Sequence, residues 1–270
     1  MKIIAATFRK ADGDGKARRT MLGVLIRRLN PNRILDLNPL ARAAVPIRRV
    51  RIGLRHHRTL ALLAAAAMAL LLWSGCAVEV KDTSRTFTAV VIDAGHGGRD
   101  SGATSRYAGL EKDAALDVAM RLRPRLEAAG FRTVLTRSDD TFIPLDERAR
   151  ISNREKNVIF VSIHFNYSRR ADIRGTEVYY HSRCSAEIAR NIISQVCAIP
   201  GTSSRGIHSA NFRVLKKNQY PAVLVECGYL TNPYEGRRCR SGAFRDQVAE
   251  AIARGIVIQR YGGEKMVAVE

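Results

Sequence analysis

Residues Phe87–Asp93 read FTAVVID, a run rich in β-branched side chains that leads straight into Ala94-Gly95-His96-Gly97-Gly98. A short apolar run stopped by glycines is the pattern of a strand buried in a sheet. The same pattern returns at Val158–His164, VIFVSIH. Between the two, Asp117–Ala129 has helical periodicity and stops at Gly130, Phe131–Leu135 reads as a strand, and Leu145–Lys156 as an Arg-rich helix. Further along, Glu177–Tyr180, Phe212–Leu215 and Ala222–Glu226 read as strands, with helices over Ser185–Val196 and Ala243–Gln259. Strands separated by helices of this length need crossover connections. The expected fold is therefore α/β: a mostly parallel, mixed sheet of about six strands with helices on both faces, in one catalytic domain over residues 87–262.

The 270 residues are 46% hydrophobic and 26% charged. That balance excludes a disordered, collagen-like or multi-span membrane chain. Residues 1–58 carry 15 Lys/Arg against 3 Asp/Glu, a net +12 of the total +20. They show no sustained apolar period and read as a basic leader, with Met21 as an alternative start. Nucleic-acid binding would need basic and aromatic residues together on a folded face, so no nucleic-acid partner is expected.

The leader ends at an uncharged run, Thr59–Val78, TLALLAAAAMALLLWSGCAV, preceded by Arg55, His56, His57 and Arg58. Such a run is a secretory signal or a membrane anchor, and its basic flank directs the rest of the chain out of the cytoplasm. Leu72-Trp73-Ser74-Gly75-Cys76 resembles a lipoprotein cleavage box, with Trp73 where Leu is usual. Residues 59–76 are accordingly read as a signal, lipoprotein or anchor segment, 77–86 as a linker and 263–270 as a tail. The expected location is the periplasmic or cell-envelope side, held to a membrane by a lipid or an N-terminal anchor. Of the five cysteines, Cys184 and Cys197 fall on one predicted helix too far apart to bridge, and the pairing of Cys184, Cys197, Cys227 and Cys239 is open.

In a parallel α/β sheet the ligand site lies beyond the carboxyl ends of the strands. His96 follows the first strand, His164 ends VIFVSIH, Glu226 ends Ala222–Glu226, and Glu111 opens the helix after the first strand. Singly, each has a structural explanation, such as a hydrogen-bonded strand-end histidine or a glutamate at a helix N-terminus. Together they have the composition of a metal hydrolase. Two imidazoles and a carboxylate are the usual protein ligands of catalytic zinc, leaving one position for water. His96, Glu111 and His164 fit the ligand roles, and Glu226 is left as the carboxylate that takes the water's proton and returns it to the leaving amine.

VVIDAGHGGRDSGA, GLEKDAALDVAMRL, TRSDDTFIPLDERARISN, SIHFN, RGIHSANFRVLKK and PAVLVECGYLTNP, in that order, resemble the zinc-dependent N-acetylmuramoyl-L-alanine amidases of the Amidase_3 type. The resemblance spans about residues 87–260. It implies one Zn2+ per chain on His96, Glu111 and His164, Glu226 as the catalytic base, and peptidoglycan as substrate, cut between N-acetylmuramic acid and L-alanine. It leaves two alternatives: a zinc-binding, non-hydrolytic wall module, and a zinc peptidase cutting within the stem peptide. Asn166, Arg205, Arg213 and Lys216 are the candidate substrate-binding residues, while Arg148, Arg150 and Arg154 read as a solvated helix face. Tyr167 and Cys227 depart from the family's usual residues. The dozen residues after Asn166 leave no room for an inhibitory helix, so an open groove on a monomer is expected.

Overall fold

The computed structural model describes residues 62–63 and 79–262. The leader, the apolar run apart from Leu62 and Leu63, and the tail lie outside the described residues. The linker is described from Glu79 and is tied down. Lys81 N donates to Gln219 O at 2.8 Å, and Thr83 Oγ1 donates to Val158 O.

From Glu79 on, the described residues form eight strands and six α-helices. The order is β1 (Ala89–Ala94), β2 (Thr104–Ser105), β3 (Gly109–Leu110), α1 (Glu111–Ala128), β4 (Arg132–Leu135), α2 (Leu145–Arg154), β5 (Val158–Asn166) and β6 (Thr176–Tyr180). Then come α3 (Ala186–Cys197), β7 (Ser204–Ser209), α4 (Arg213–Lys216), β8 (Ala222–Tyr229), α5 (Pro233–Arg240) and α6 (Gly242–Tyr261). Six strands form one sheet in the order β4-β1-β5-β8-β6-β7, and β2 pairs with β3 in a small hairpin. β4, β1, β5 and β8 run parallel, whereas β6 is antiparallel to β8 and carries β7 parallel to itself. The sheet is thus mixed.

Why the central strands take these places follows from their composition. Every residue of β1 is buried, as are Val158–Ile163 of β5, so both faces of these strands must be covered. One face packs Val90, Ile92, Val161 and Val225 against Val118 and Leu122 of α1, Ile192 of α3 and Ile252 of α6. The opposite face packs Val91, Phe160 and Leu224 against Val214 and Leu215 of α4, with Ile151 of α2 at its margin. Helices cover both faces as expected.

Three local expectations are corrected. Phe212–Leu215, expected as a strand, is the short helix α4 starting at Arg213. Its apolar pair, Val214 and Leu215, seals the sheet from one side instead of joining it. The place at the sheet edge belongs to β7, SRGIHS, whose exposed and glycine-containing sequence carries little strand signal. Helix α5 was not anticipated, although Asn232-Pro233 announces it: Asn232 Oδ1 accepts from Tyr234 N at 3.0 Å and Glu235 N at 2.9 Å, with Pro233 at the first helical position. The four cysteines among the described residues are free thiols, with Cys227 and Cys239 buried.

Candidate active site

The carboxyl ends of β1, β5 and β8 share one edge of the sheet, and β6 begins there. His96 stands two residues beyond β1 in a left-handed conformation, φ 59°, an uncommon backbone for a non-glycine residue. Glu111 is the first residue of α1. Ala103 N, just before β2, donates to its Oε2 at 2.8 Å and Phe165 N of β5 to its Oε1 at 3.1 Å, so both together aim the carboxylate. That Oε1 lies 3.0 Å from His96 Nε2 and 2.9 Å from His164 Nδ1. Ligand-type atoms of the three residues all lie within 4.8 Å of one another. Burial lowers the His96 pKa, but Glu111 and Asp100 outweigh it and leave it raised. Burial pushes the Glu111 carboxyl up, and the two histidines more than offset this, holding it well below the usual range. The cluster is built to accept positive charge.

Two glycines let the groups approach. A Cβ on Gly95 would stand 2.4 Å from His164 Cε1, and one on Gly102 would stand 2.5 Å from Glu111 Oε2 and 2.6 Å from His96 Cδ2. Two arginines hold the loop that presents His96. Arg137 donates to Ala94 O at 3.0 Å, Gly95 O at 2.7 Å and Lys112 O at 2.8 Å. Arg148 donates to Asp93 Oδ1 at 2.7 Å, to Ala94 O at 2.6 Å and to His96 O. Its expected place on a solvated face is therefore corrected: Arg148 is 2% exposed. Only Arg150 and Arg154 point to solvent, both paired with Glu147. The helix turns its Arg148 inward because the carbonyls of residues 94 and 96, freed by the turn after β1, need donors.

Glu226 is the register partner of His164 on the neighbouring parallel strand, so the two side chains share a face. Burial, then the charges of Glu111 and Glu177, push its carboxyl well above the ordinary value. Its Oε2 is buried and has no hydrogen-bond partner among the described residues. His96, Glu111, His164 and Glu226 all face a cleft of about 690 Å³ whose walls include Phe142, Tyr167 and Phe212. Two imidazoles and one carboxylate around a point, with an unpartnered buried carboxylate oxygen facing the same cleft, fit a catalytic zinc ion.

The family model for N-acetylmuramoyl-L-alanine amidase matches residues 90–257. The chain belongs to the N-acetylmuramoyl-L-alanine amidase family. It is similar to the amidase LytC of Bacillus subtilis, 36% identical over 172 residues that cover 62% of this chain and 34% of LytC. The chain thus matches about a third of that relative's length. Among solved structures, the amidase AmiC2 of Nostoc punctiforme is 42% identical with a TM-score of 0.60, covering 63% of this chain and 94% of that one. The catalytic domain of CwlV from Paenibacillus polymyxa is 39% identical, TM-score 0.61, covering 63% and 97%.

In this amidase-family chain the four candidate substrate-binding residues separate. Asn166 and Arg213 line the cleft, whereas Arg205 and Lys216 do not. Arg205 Nε instead donates to Glu177 Oε1 at 2.9 Å. Arg213 is bound to both carboxylate oxygens of Asp146. Sequence reasoning passed over Glu177, Arg137 and Asp93, which are buried polar groups on strands or loops read only for their apolar content.

Proposed function

We propose that this chain is a zinc-dependent peptidoglycan hydrolase that cleaves the amide between N-acetylmuramic acid and the L-alanine of the stem peptide. The observation that carries the reading is the pairing of His164 with Glu226 across β5 and β8, which brings a proton-accepting carboxylate to the His96–Glu111–His164 cluster. His96 Nε2, Glu111 Oε1 and His164 Nδ1 would hold the ion. When bound, zinc supplies a Lewis acid for the scissile carbonyl and lowers the pKa of water. Glu226 takes a proton from the attacking water and delivers it to the departing alanine nitrogen, the role for which a raised carboxyl pKa suits it. Phe142, Tyr167 and Phe212 in the cleft walls border the reacting centre.

The basic leader and the uncharged run Thr59–Val78 support action outside the cytoplasm, with the segment 59–76 as a lipoprotein signal or anchor that keeps the enzyme near the wall. The test is digestion of purified peptidoglycan by the full chain, His164→Ala and Glu226→Ala, with metal content assayed. The expected result is one zinc and stem peptides beginning in L-alanine for the wild type, zinc without activity for Glu226→Ala, and loss of both for His164→Ala. Cuts within the stem, or full activity of Glu226→Ala, would overturn the reading.

A further inference from the structure

Glu177 is 6% exposed and sits directly opposite Glu226 on the antiparallel pair β6–β8. Two carboxyl groups facing each other across a ladder cannot both ionise without repulsion, so stability alone does not explain a second one here. Four donors converge on it, one from each of four strands. Arg205 Nε of β7 reaches Oε1 at 2.9 Å. Asn166 Nδ2 of β5 reaches Oε2 at 2.8 Å, and the hydroxyls of Tyr179 (β6) and Tyr229 (β8) reach the same oxygen at 3.1 Å each.

The placement of this node is informative. The register of β5 against β8 shifts between His164 and Asn166, so Asn166 pairs with Tyr229 rather than with the residue two beyond Glu226. Glu177 binds both members of that shifted pair. It thereby fixes the ends of the two strands immediately after the histidine and the glutamate that face the cleft. The amide of Asn166 has one hydrogen committed to Glu177, and its Oδ1 accepts from Tyr167 N at 2.8 Å. What remains for a molecule in the cleft is one N–H donor and one lone pair on Oδ1, held in one orientation.

We propose that Glu177 is a positioning residue for the hydrolysis, acting through Asn166, whose remaining N–H addresses an acceptor oxygen of the substrate. The inference rests on the amidase reading. An alanine at position 166 removes the donor; a glutamine at position 177 removes the charge that orders Arg205 and introduces an amide that competes with Asn166 for acceptors. Both changes act on one arrangement, so their effects are not additive.

The experiment measures kcat/KM on purified peptidoglycan, with zinc content and thermal midpoint, for the full chain, Glu177→Gln, Asn166→Ala and the double variant. Each single change is expected to lower kcat/KM by about tenfold or more, at unchanged zinc content, as misplacement of a bound substrate does. The double variant is expected to lose no more than the worse single one. Additive losses, or a Glu177→Gln variant with wild-type kcat/KM, overturn the inference. Should Glu177→Gln fail to fold, Arg205→Met on the partly exposed outer strand replaces it. That variant is expected to lower kcat/KM in the wild type and leave it unaltered in the Asn166→Ala background; a lower midpoint with kcat/KM unaffected overturns the inference. A wild type that binds zinc yet releases no L-alanine-terminated peptides overturns the amidase reading and this inference with it, whereas an active wild type with additive variants overturns the inference alone.

Discussion

Arg148 Nη1 lies 2.7 Å from Asp93 Oδ1, with both side chains buried. Asp93 is further held by Thr136 Oγ1 at 2.7 Å and Ser162 Oγ at 2.6 Å, and Arg148 continues upward to the carbonyls of Ala94 and His96. The pair therefore joins the end of β1 to the loop that carries His96. Removing one partner of a buried ion pair leaves an uncompensated charge, at a cost of about 3–5 kcal/mol. Arg148→Met is expected to lower stability by that order in chemical denaturation and to weaken zinc binding in parallel, because the left-handed turn at His96 loses its support. Unchanged stability would contradict a structural role for the clamp.

At Gly95 a methyl group would fall within 2.4–2.7 Å of three atoms of the His164 ring. Gly95→Ala is expected to displace that ring and to weaken zinc binding by about 10–100-fold, the scale seen when the support of a ligand is disturbed. Competition with a zinc chelator measures it. Retained affinity would show that the strand end shifts freely.

Glu226 is expected to trade stability for chemistry. Its carboxyl is pushed up by burial and by Glu111 and Glu177, so the folded state favours the protonated form. The contribution is favourable at low pH and lost as pH rises, leaving the ionised group a burden near neutrality. Glu226→Gln should therefore raise the thermal midpoint of the zinc-free chain near neutral pH while lowering kcat by about 10²–10⁴-fold. A lower midpoint would contradict the burden.

Outside the lining of the cleft, Asp117 offers a test of acid sensitivity. Burial raises its pKa, but Arg121 at 2.9 Å and Arg245 on α6 more than compensate and leave it lowered. The resulting stabilisation is present above the unfolded carboxyl value, about pH 3.9, and disappears as pH falls through the lowered folded value. Asp117→Asn is expected to be less stable than wild type near neutrality and equal to it in strong acid. Stability curves against pH decide it, and parallel curves would exclude the linkage.

Much of the architecture was legible along the chain because buried parallel strands are nearly uniform in composition. Val158–His164 reads as a strand without any knowledge of its neighbours, and the structure extends it only to Asn166. The helix expected from Asp117 begins earlier, at Glu111, whose N donates to Ala103 O just before β2. β7 was invisible because an edge strand buries little, and α4 was misread because Val214 and Leu215 look alike in a short strand and in one turn of helix.

Identity of the cleft groups was likewise local information: His96, His164 and Glu226 each follow an apolar run toward the carboxyl end of a strand. Their partners were not. Arg148 has the same spacing from Glu147 and Arg150 as any surface arginine, and only the turn of α2 over β1 sends it inward. Arg205 has the charge expected of a substrate contact, and only the pairing of β6 with β7 delivers it to Glu177. By itself the sequence determined which strands could be buried and which side chains could carry zinc chemistry, since both depend on residue type and short-range period. The tertiary structure alone decided which charge meets which, because an arginine's partner is set by sheet register and helix rotation, and neither leaves a mark in the local pattern.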